Sequence, residues 1–178
     1  MDNGACSYRR YLEGDEAAFE EIVNDLFDNL VFFINRYVHD LQTAEDLAID
    51  TFTDLIVHKH RYDFRVSLKT YIFMIGRSRA LTWLKRRKIA VPLDDVPPPS
   101  DDGFEERLLQ EEQKLLVHTA LARLPDDMRV AVHLVYFEDL SYDDAARVMK
   151  KTKKQVDNLL YRAKKELRTI LRKEEVFV

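Results

Sequence analysis

A chain of 178 residues, 46% hydrophobic and 34% charged, has the composition of a soluble folded protein of one domain or two small ones. Four glycines and five prolines favour long helices over a many-turned β fold, and the lone Cys6 excludes an internal disulfide and a cysteine-rich metal site. No stretch is long and apolar enough to span a membrane and the acidic N-terminus does not read as a signal peptide, so no membrane insertion and a cytoplasmic location are expected.

The formal net charge of −4 is unevenly spread. Residues 1–58 hold thirteen acidic and three basic side chains. Within them, residues 15–38 place Phe19, Ile22, Val23, Leu26, Phe27, Leu30, Phe33 and Ile34 at helical spacing, which predicts a core-facing helix. A second helix is expected from Thr43, whose side chain can cap ahead of Asp46, with Ala44, Leu47, Ala48, Thr51, Phe52, Leu55 and Ile56 as its buried stripe. Its other face carries Asp46, Asp50 and Asp54 at i, i+4 and i+8. Like charges so spaced repel by a few tenths of a kcal/mol per pair. The ridge therefore reads either as a solubilising face or as a dock for a basic partner.

Residues 59–88 reverse the sign, with ten basic side chains and only Asp63 acidic. Tyr62, Phe64, Tyr71, Phe73 and Trp83 lie among them. Cations interleaved with flat rings suit single-stranded nucleic acid, which offers phosphates and unstacked bases. Some rings must serve the core beside Leu68, Ile72, Ile75 and Leu84, and Tyr71 or Phe73 is expected to be buried. The composition then breaks: residues 90–103 are acidic and proline-rich, and no helix runs through Pro97, Pro98 and Pro99. A linker is expected there, followed by a second helical unit beginning near Phe104, reaching Leu124 and restarting at Pro125.

The C-terminal stretch carries two helix starts. Ser141 with Asp144, and Thr152 with Gln155, fit the spacing at which a hydroxyl and an acid or amide satisfy the open N–H groups of a first turn. From the second start Val156, Leu159, Leu160, Ala163, Leu167 and Ile170 make one apolar stripe, and Lys154, Asn158, Tyr161, Arg162 and Lys165 face away from it. Residues 147–173 hold eleven basic side chains against Asp157 and Glu166. A short helix, a turn and a long cationic helix form the pattern that sets a reading helix in the DNA major groove. An ordinary helical hairpin with a solvated charged face is the plainer reading.

Three segments in order carry a resemblance: AEDLAIDTFTDL at 44–55, YIFMIGRSRALTWLKRRK at 71–88, and ALARLPDDMRVAVHLVYFEDLSYDDAARVM with VDNLLYRAKKEL across 120–167. Over most of its length the chain resembles a bacterial RNA polymerase sigma factor of the extracytoplasmic-function type. The resemblance implies an all-α fold: a region 2-like domain over 1–89, a linker over 90–104 and a region 4-like helix-turn-helix domain over 105–178. It implies that the helix bearing Asp46, Asp50 and Asp54 docks on the coiled coil of the largest polymerase subunit. Tyr62, Phe64, Arg65, Arg77, Ser78, Thr82 and Lys85 become candidates for recognising and melting the minus-ten promoter element. Lys153, Lys154, Gln155, Asn158, Arg162 and Lys165 become candidates for the minus thirty-five element, in a domain that also meets the polymerase flap. The linker would lie in the RNA exit path. An anti-sigma partner fits the family, though no residue here shows one; no cofactor and no metal are expected.

The chain departs from the family pattern at Ser78, where asparagine is usual, at Thr82, where aspartate is common, and at Asp157, where lysine is common. Met149-Lys150 stands for the usual Leu-Gly, and a lysine in a left-handed turn costs roughly 1 kcal/mol relative to glycine. Two other classes compete. A stand-alone helix-turn-helix regulator would need a dimer interface, and no heptad or apolar dimerisation helix is evident. An enzyme would need a site, yet there is no glycine-rich phosphate loop, and His58 and His60 fall on different faces of a helix.

Overall fold

The computed structural model describes residues 4–90 and 119–175. All regular structure among them is helical, in two compact units that, residues 147–149 apart, fall before and after the gap between those ranges.

The first unit is built on α2 (Glu16–Val38), against which α1 (Ala5–Leu12), α3 (Leu41–Val57) and α4 (Leu68–Ala90) all pack. Its core joins Ile22, Leu30, Phe33 and Ile34 to Ala44, Ala48, Phe52 and Leu55 of α3 and to Leu68, Ile72 and Phe73 of α4. The Phe33 and Phe73 rings meet at 4.8 Å. Gly76 makes the close approach of α4 to α2 possible: a Cβ there would sit 2.7 Å from Leu30 Cδ1.

Helix starts follow side-chain acceptors. Asp15 caps α2, accepting from the Ala18 N–H at 3.4 Å. At α3 the expected start at Thr43 is corrected: Asp40 is the cap, and Thr43 supplies the N–H it accepts, at 2.7 Å. Asp40 also takes the Thr43 hydroxyl, and these two bonds hold its carboxyl below the ordinary carboxylate pKa. Ile56 is a second correction, since it is 48% exposed rather than buried. Ala44, Ala48, Thr51 and Leu55 define the buried face of α3, and Ile56 lies about 100° round from Leu55, past its edge.

No sequence pattern announced α1, and Tyr8 is its buried anchor. Tyr8 is fully buried, and its hydroxyl is shared between the carbonyls of Lys59 at 2.9 Å and Leu55 at 3.3 Å. Those carbonyls belong to the last turn of α3 and to the turn just after it, where backbone acceptors lack intrahelical partners.

The second unit has a helical segment at 119–122, then α5 (Asp126–Val132), α6 (Tyr142–Met149) and α7 (Lys153–Glu175). Pro125 stands just before α5 rather than in its first turn, and the Met128 and Arg129 N–H groups donate to its carbonyl. The last turn of α5 widens over His133–Phe137, where the Glu138 N–H donates to the His133 carbonyl five residues back. This π turn carries a buried pair, His133 Nε2 to Glu138 Oε1 at 3.2 Å, and leaves Tyr136 and Phe137 exposed.

Both expected caps form. The Asp144 N–H donates to Ser141 Oγ at 3.1 Å. At α7 the capping box is reciprocal: the Gln155 N–H donates to Thr152 Oγ1 at 3.2 Å, and the Thr152 N–H to Gln155 Oε1 at 2.8 Å. The turn between α6 and α7 has Lys150 at φ 53° and a Lys151 N–H bond to the Ala146 carbonyl, the geometry that favours glycine after a helix. Lys150→Gly is expected to raise stability by about 1 kcal/mol in chemical denaturation.

Candidate nucleic-acid interface

On α3, Asp46 and Asp50 are exposed and Asp54 is half-buried. The three do not act as one ridge. Arg79, reaching over from α4, stands 3.5 Å from Asp50 and 3.5 Å from Asp54, and His58 lies 3.7 Å from Asp54. The Asp50 side chain is 61% exposed beside Arg79 and that of Asp54 only 26%, so Asp46 and Asp50 are the more available carboxylates. Beside them α3 exposes Ile49, Ile56 and Val57, at 52%, 48% and 66%. Sequence reasoning missed this apolar strip by assigning Ile56 to the core. The signal was the position of Ile49, well over 100° from the Ala44–Ala48 face.

The connection from α3 to α4 is a structured loop. The Tyr62 hydroxyl donates to the Val66 carbonyl at 2.6 Å, while its ring, 4% exposed, packs on Tyr8, Phe64 and Tyr71. Of the minus-ten candidates Tyr62 therefore has no face open to a ligand; its ring and hydroxyl shape the loop. Phe64 is half-buried and has φ 60°, a left-handed conformation that costs a bulky L-residue roughly 1 kcal/mol or more. Arg65 is exposed, its Nε 3.1 Å from Asp63, whose carboxylate also accepts the Arg65 N–H at 3.1 Å. Ser67 then starts α4, its Oγ accepting the Thr70 N–H at 3.0 Å.

Along α4, Ser78, Thr82 and Lys85 are exposed and share one face at i, i+4 and i+7. Arg77 is half-buried and lies one residue round from that face. Phe73 is buried and Tyr71 half-buried, so the Phe73 ring belongs to the core.

All six candidates on α7 are exposed: Lys153, Lys154, Gln155, Asn158, Arg162 and Lys165. Val156, Leu160 and Ala163 are buried on the opposite side, where α7 packs on α5. Lys154, Asn158, Arg162 and Lys165 form a continuous stripe at three- and four-residue steps. Two of the six have structural partners as well. Lys153 Nζ pairs with Asp143 at 2.8 Å, and the Gln155 oxygen is committed to the cap. Tyr161 adds a ring 71% exposed beside Arg162.

Two family models match the chain in this order: Sigma-70 region 2 over residues 22–89, and Sigma-70, region 4 over residues 114–167. The RNA polymerase sigma-H factor of Pseudomonas aeruginosa is 30% identical, with 89% of this chain and 88% of that protein aligned. The chain belongs to the sigma-70 family of RNA polymerase sigma factors. The ECF RNA polymerase sigma factor RpoE of Cereibacter sphaeroides is 30% identical over 74% of this chain and 74% of that one, which places the sigma factor in the extracytoplasmic-function type. A solved structure of the sigma factor RpoE in complex with the anti-sigma factor NepR from Bartonella quintana shares the fold, with a TM-score of 0.64 at 22% identity, covering 86% of this chain and 96% of that one. As a sigma factor it is a transcription initiation factor, working with core RNA polymerase and promoter DNA.

Proposed function

We propose that this sigma factor divides its work among the three surfaces. In this reading residues 1–89 form the domain that docks on core polymerase and handles the minus-ten element. Residues 90–104 are a linker, of which 91–104 lie outside the described residues, and 105–178 read the minus thirty-five element. The face of α3 bearing Asp46, Asp50, Ile49 and Ile56 meets the coiled coil of the largest polymerase subunit. The exposed side of the 61–67 loop and the Ser78, Thr82 and Lys85 face of α4 meet the melted strand. Tyr62 shapes that loop, and Asp54 stays partnered with Arg79.

The stripe of Lys154, Asn158, Arg162 and Lys165 carries the reading. It lies opposite the buried face of a helix whose entry is fixed by a reciprocal capping box and preceded by a short helix and tight turn. Asn158 offers a bidentate edge for adenine, and the three cations suit phosphates or guanine. The reading places the protein in the cytoplasm with its polymerase; no described helix is long and apolar enough to cross a membrane. It includes an anti-sigma partner, a role supported by the complex in which RpoE was solved.

Neutralising about five phosphates gives log K a salt slope near −4.5, so DNA binding by the chain alone should fade at physiological salt. Held on one polymerase, the second domain's contact becomes intramolecular and effective concentration supplies the missing affinity. The test compares promoter binding by the full chain and by reconstituted holoenzyme across salt concentrations. Weak, steeply salt-dependent binding by the chain and tight binding by holoenzyme are expected. Tight, sequence-specific binding by the isolated chain at physiological salt would instead favour a stand-alone regulator.

A further inference from the structure

We infer that α1 belongs to the base-capturing apparatus: Arg9 is a positioning residue that, through Phe64, holds the 61–67 loop in the shape that receives an unstacked base. The inference rests on the minus-ten reading of that loop. It starts from the backbone at Phe64. A bulky aromatic in the left-handed region persists only where the surroundings over-determine it, and such positions cluster at ligand clamps.

The loop's own bonds do not supply that hold. The Tyr62 hydroxyl ties Val66, and Asp63 ties Arg65, but neither bond engages the Phe64 side chain. The Phe64 ring is fixed by packing, on Tyr62 at 4.5 Å and Tyr8 at 6.3 Å, and by the Arg9 guanidinium 4.9 Å from its centre. Two of these three groups lie on α1, more than fifty residues away in sequence.

Neighbouring arginines on that helix have different tasks. Arg10 turns to Asp15 at 2.6 Å and Glu21 at 3.0 Å, joining α1 to α2. Arg9 is exposed and places its cation over the loop's strained ring. A loop fixed before binding cannot re-pack around a wrong base, so its rigidity contributes selectivity among bases. Attraction to the phosphates comes mainly from the several cations of α4, to which the single charge of Arg9 adds a small share. Losing Arg9 should therefore blunt the distinction between right and wrong bases more than it weakens binding overall.

The test reconstitutes holoenzyme with the wild type and with Arg9→Ala, Arg9→Lys and Phe64→Gly. The probes are single-stranded oligonucleotides of the minus-ten non-template strand, carrying each of the four bases at each position in turn. Arg9→Ala should lower the ratio of best to worst base by roughly two- to fivefold, at the position the wild type reads most sharply. Arg9→Lys should restore part of it, with core polymerase affinity and melting temperature unchanged. Phe64→Gly removes the ring and the strain together and should lose at least as much selectivity. An undiminished ratio in Arg9→Ala beside a reduced one in Phe64→Gly overturns the role of α1 and leaves the minus-ten reading standing. So does a ratio that falls only with the melting temperature and is not restored by lysine. A wild-type holoenzyme that distinguishes no bases overturns both.

Discussion

Holoenzyme assembly with the Asp46→Lys, Asp50→Lys double variant is expected to fall by roughly a hundredfold, because placing like charges across a complementary interface costs several kcal/mol. Both carboxylates are exposed, and reversing Asp50 disturbs only its exposed pairing with Arg79, so the melting temperature should fall by no more than a few degrees. Asp54 is left in place on purpose. It is half-buried between Arg79 and His58, and a lysine there would set a second positive charge against Arg79 in a partly buried place and confuse docking with folding. Pull-down of core polymerase, repeated at two salt concentrations, measures the effect. Retention that survives charge reversal would move the docking face elsewhere on the first unit. Retention that survives reversal but falls in an Ile49→Ser, Ile56→Ser variant would assign the contact to the apolar strip.

Tyr8→Ala should be the most damaging single change in the first unit. Removing a large, fully buried ring costs about 3–5 kcal/mol, and the ring lies among Tyr11, Tyr62 and Phe64. Tyr8→Phe isolates the hydroxyl. It leaves the Lys59 and Leu55 carbonyls without that donor and should cost about 1–2 kcal/mol. The hydroxyl also predicts a pH dependence. Burial, followed by the neighbouring Tyr11, Tyr71 and Tyr62, pushes the Tyr8 phenol from 10.0 to about 12. The folded state thus retains a proton the unfolded chain has released. This contribution is complete below pH 10 and declines as pH rises toward 12. Urea unfolding between those values should show wild-type stability falling faster than that of Tyr8→Phe. Parallel curves would mean that Tyr8 does not retain its proton in this way.

Local chemistry in this chain was legible from the sequence. The Thr152 and Gln155 capping box needs only residues three apart, and it forms as the spacing requires. The left-handed turn at Lys150 follows from a helix that must stop before Thr152. A choice between neighbouring caps was not legible, nor was what depended on distant partners. At α3 two acceptors three residues apart could each start the helix. The choice fell to Asp40, a charged acceptor that also takes the Thr43 hydroxyl. Tyr62 has the residue type of a stacking platform, but α1 places Tyr8 against it, and nothing near residue 62 announces that. Spacing placed Asp46, Asp50 and Asp54 on one face correctly. Their unequal availability comes from Arg79 on another helix, which stands over Asp50 and Asp54, and from the deeper burial of Asp54.

The π turn at His133–Phe137 makes chain length itself a constrained quantity in the second unit. An α turn closes in about 3.6 residues and the π turn takes about one more, so removing one residue here would let α5 close into ordinary hydrogen bonding and shorten the path from Leu134 to Ser141. The Leu140 N–H, which now donates to the Leu134 carbonyl, would lose that partner, and Ser141 would no longer stand where α6 begins. An ordinary surface loop absorbs a deletion by changing its path. This segment has no slack of that kind, since its extra residue is already spent on aligning two helices. Single-residue deletions across 133–137 should therefore be harsher than most substitutions at the same positions.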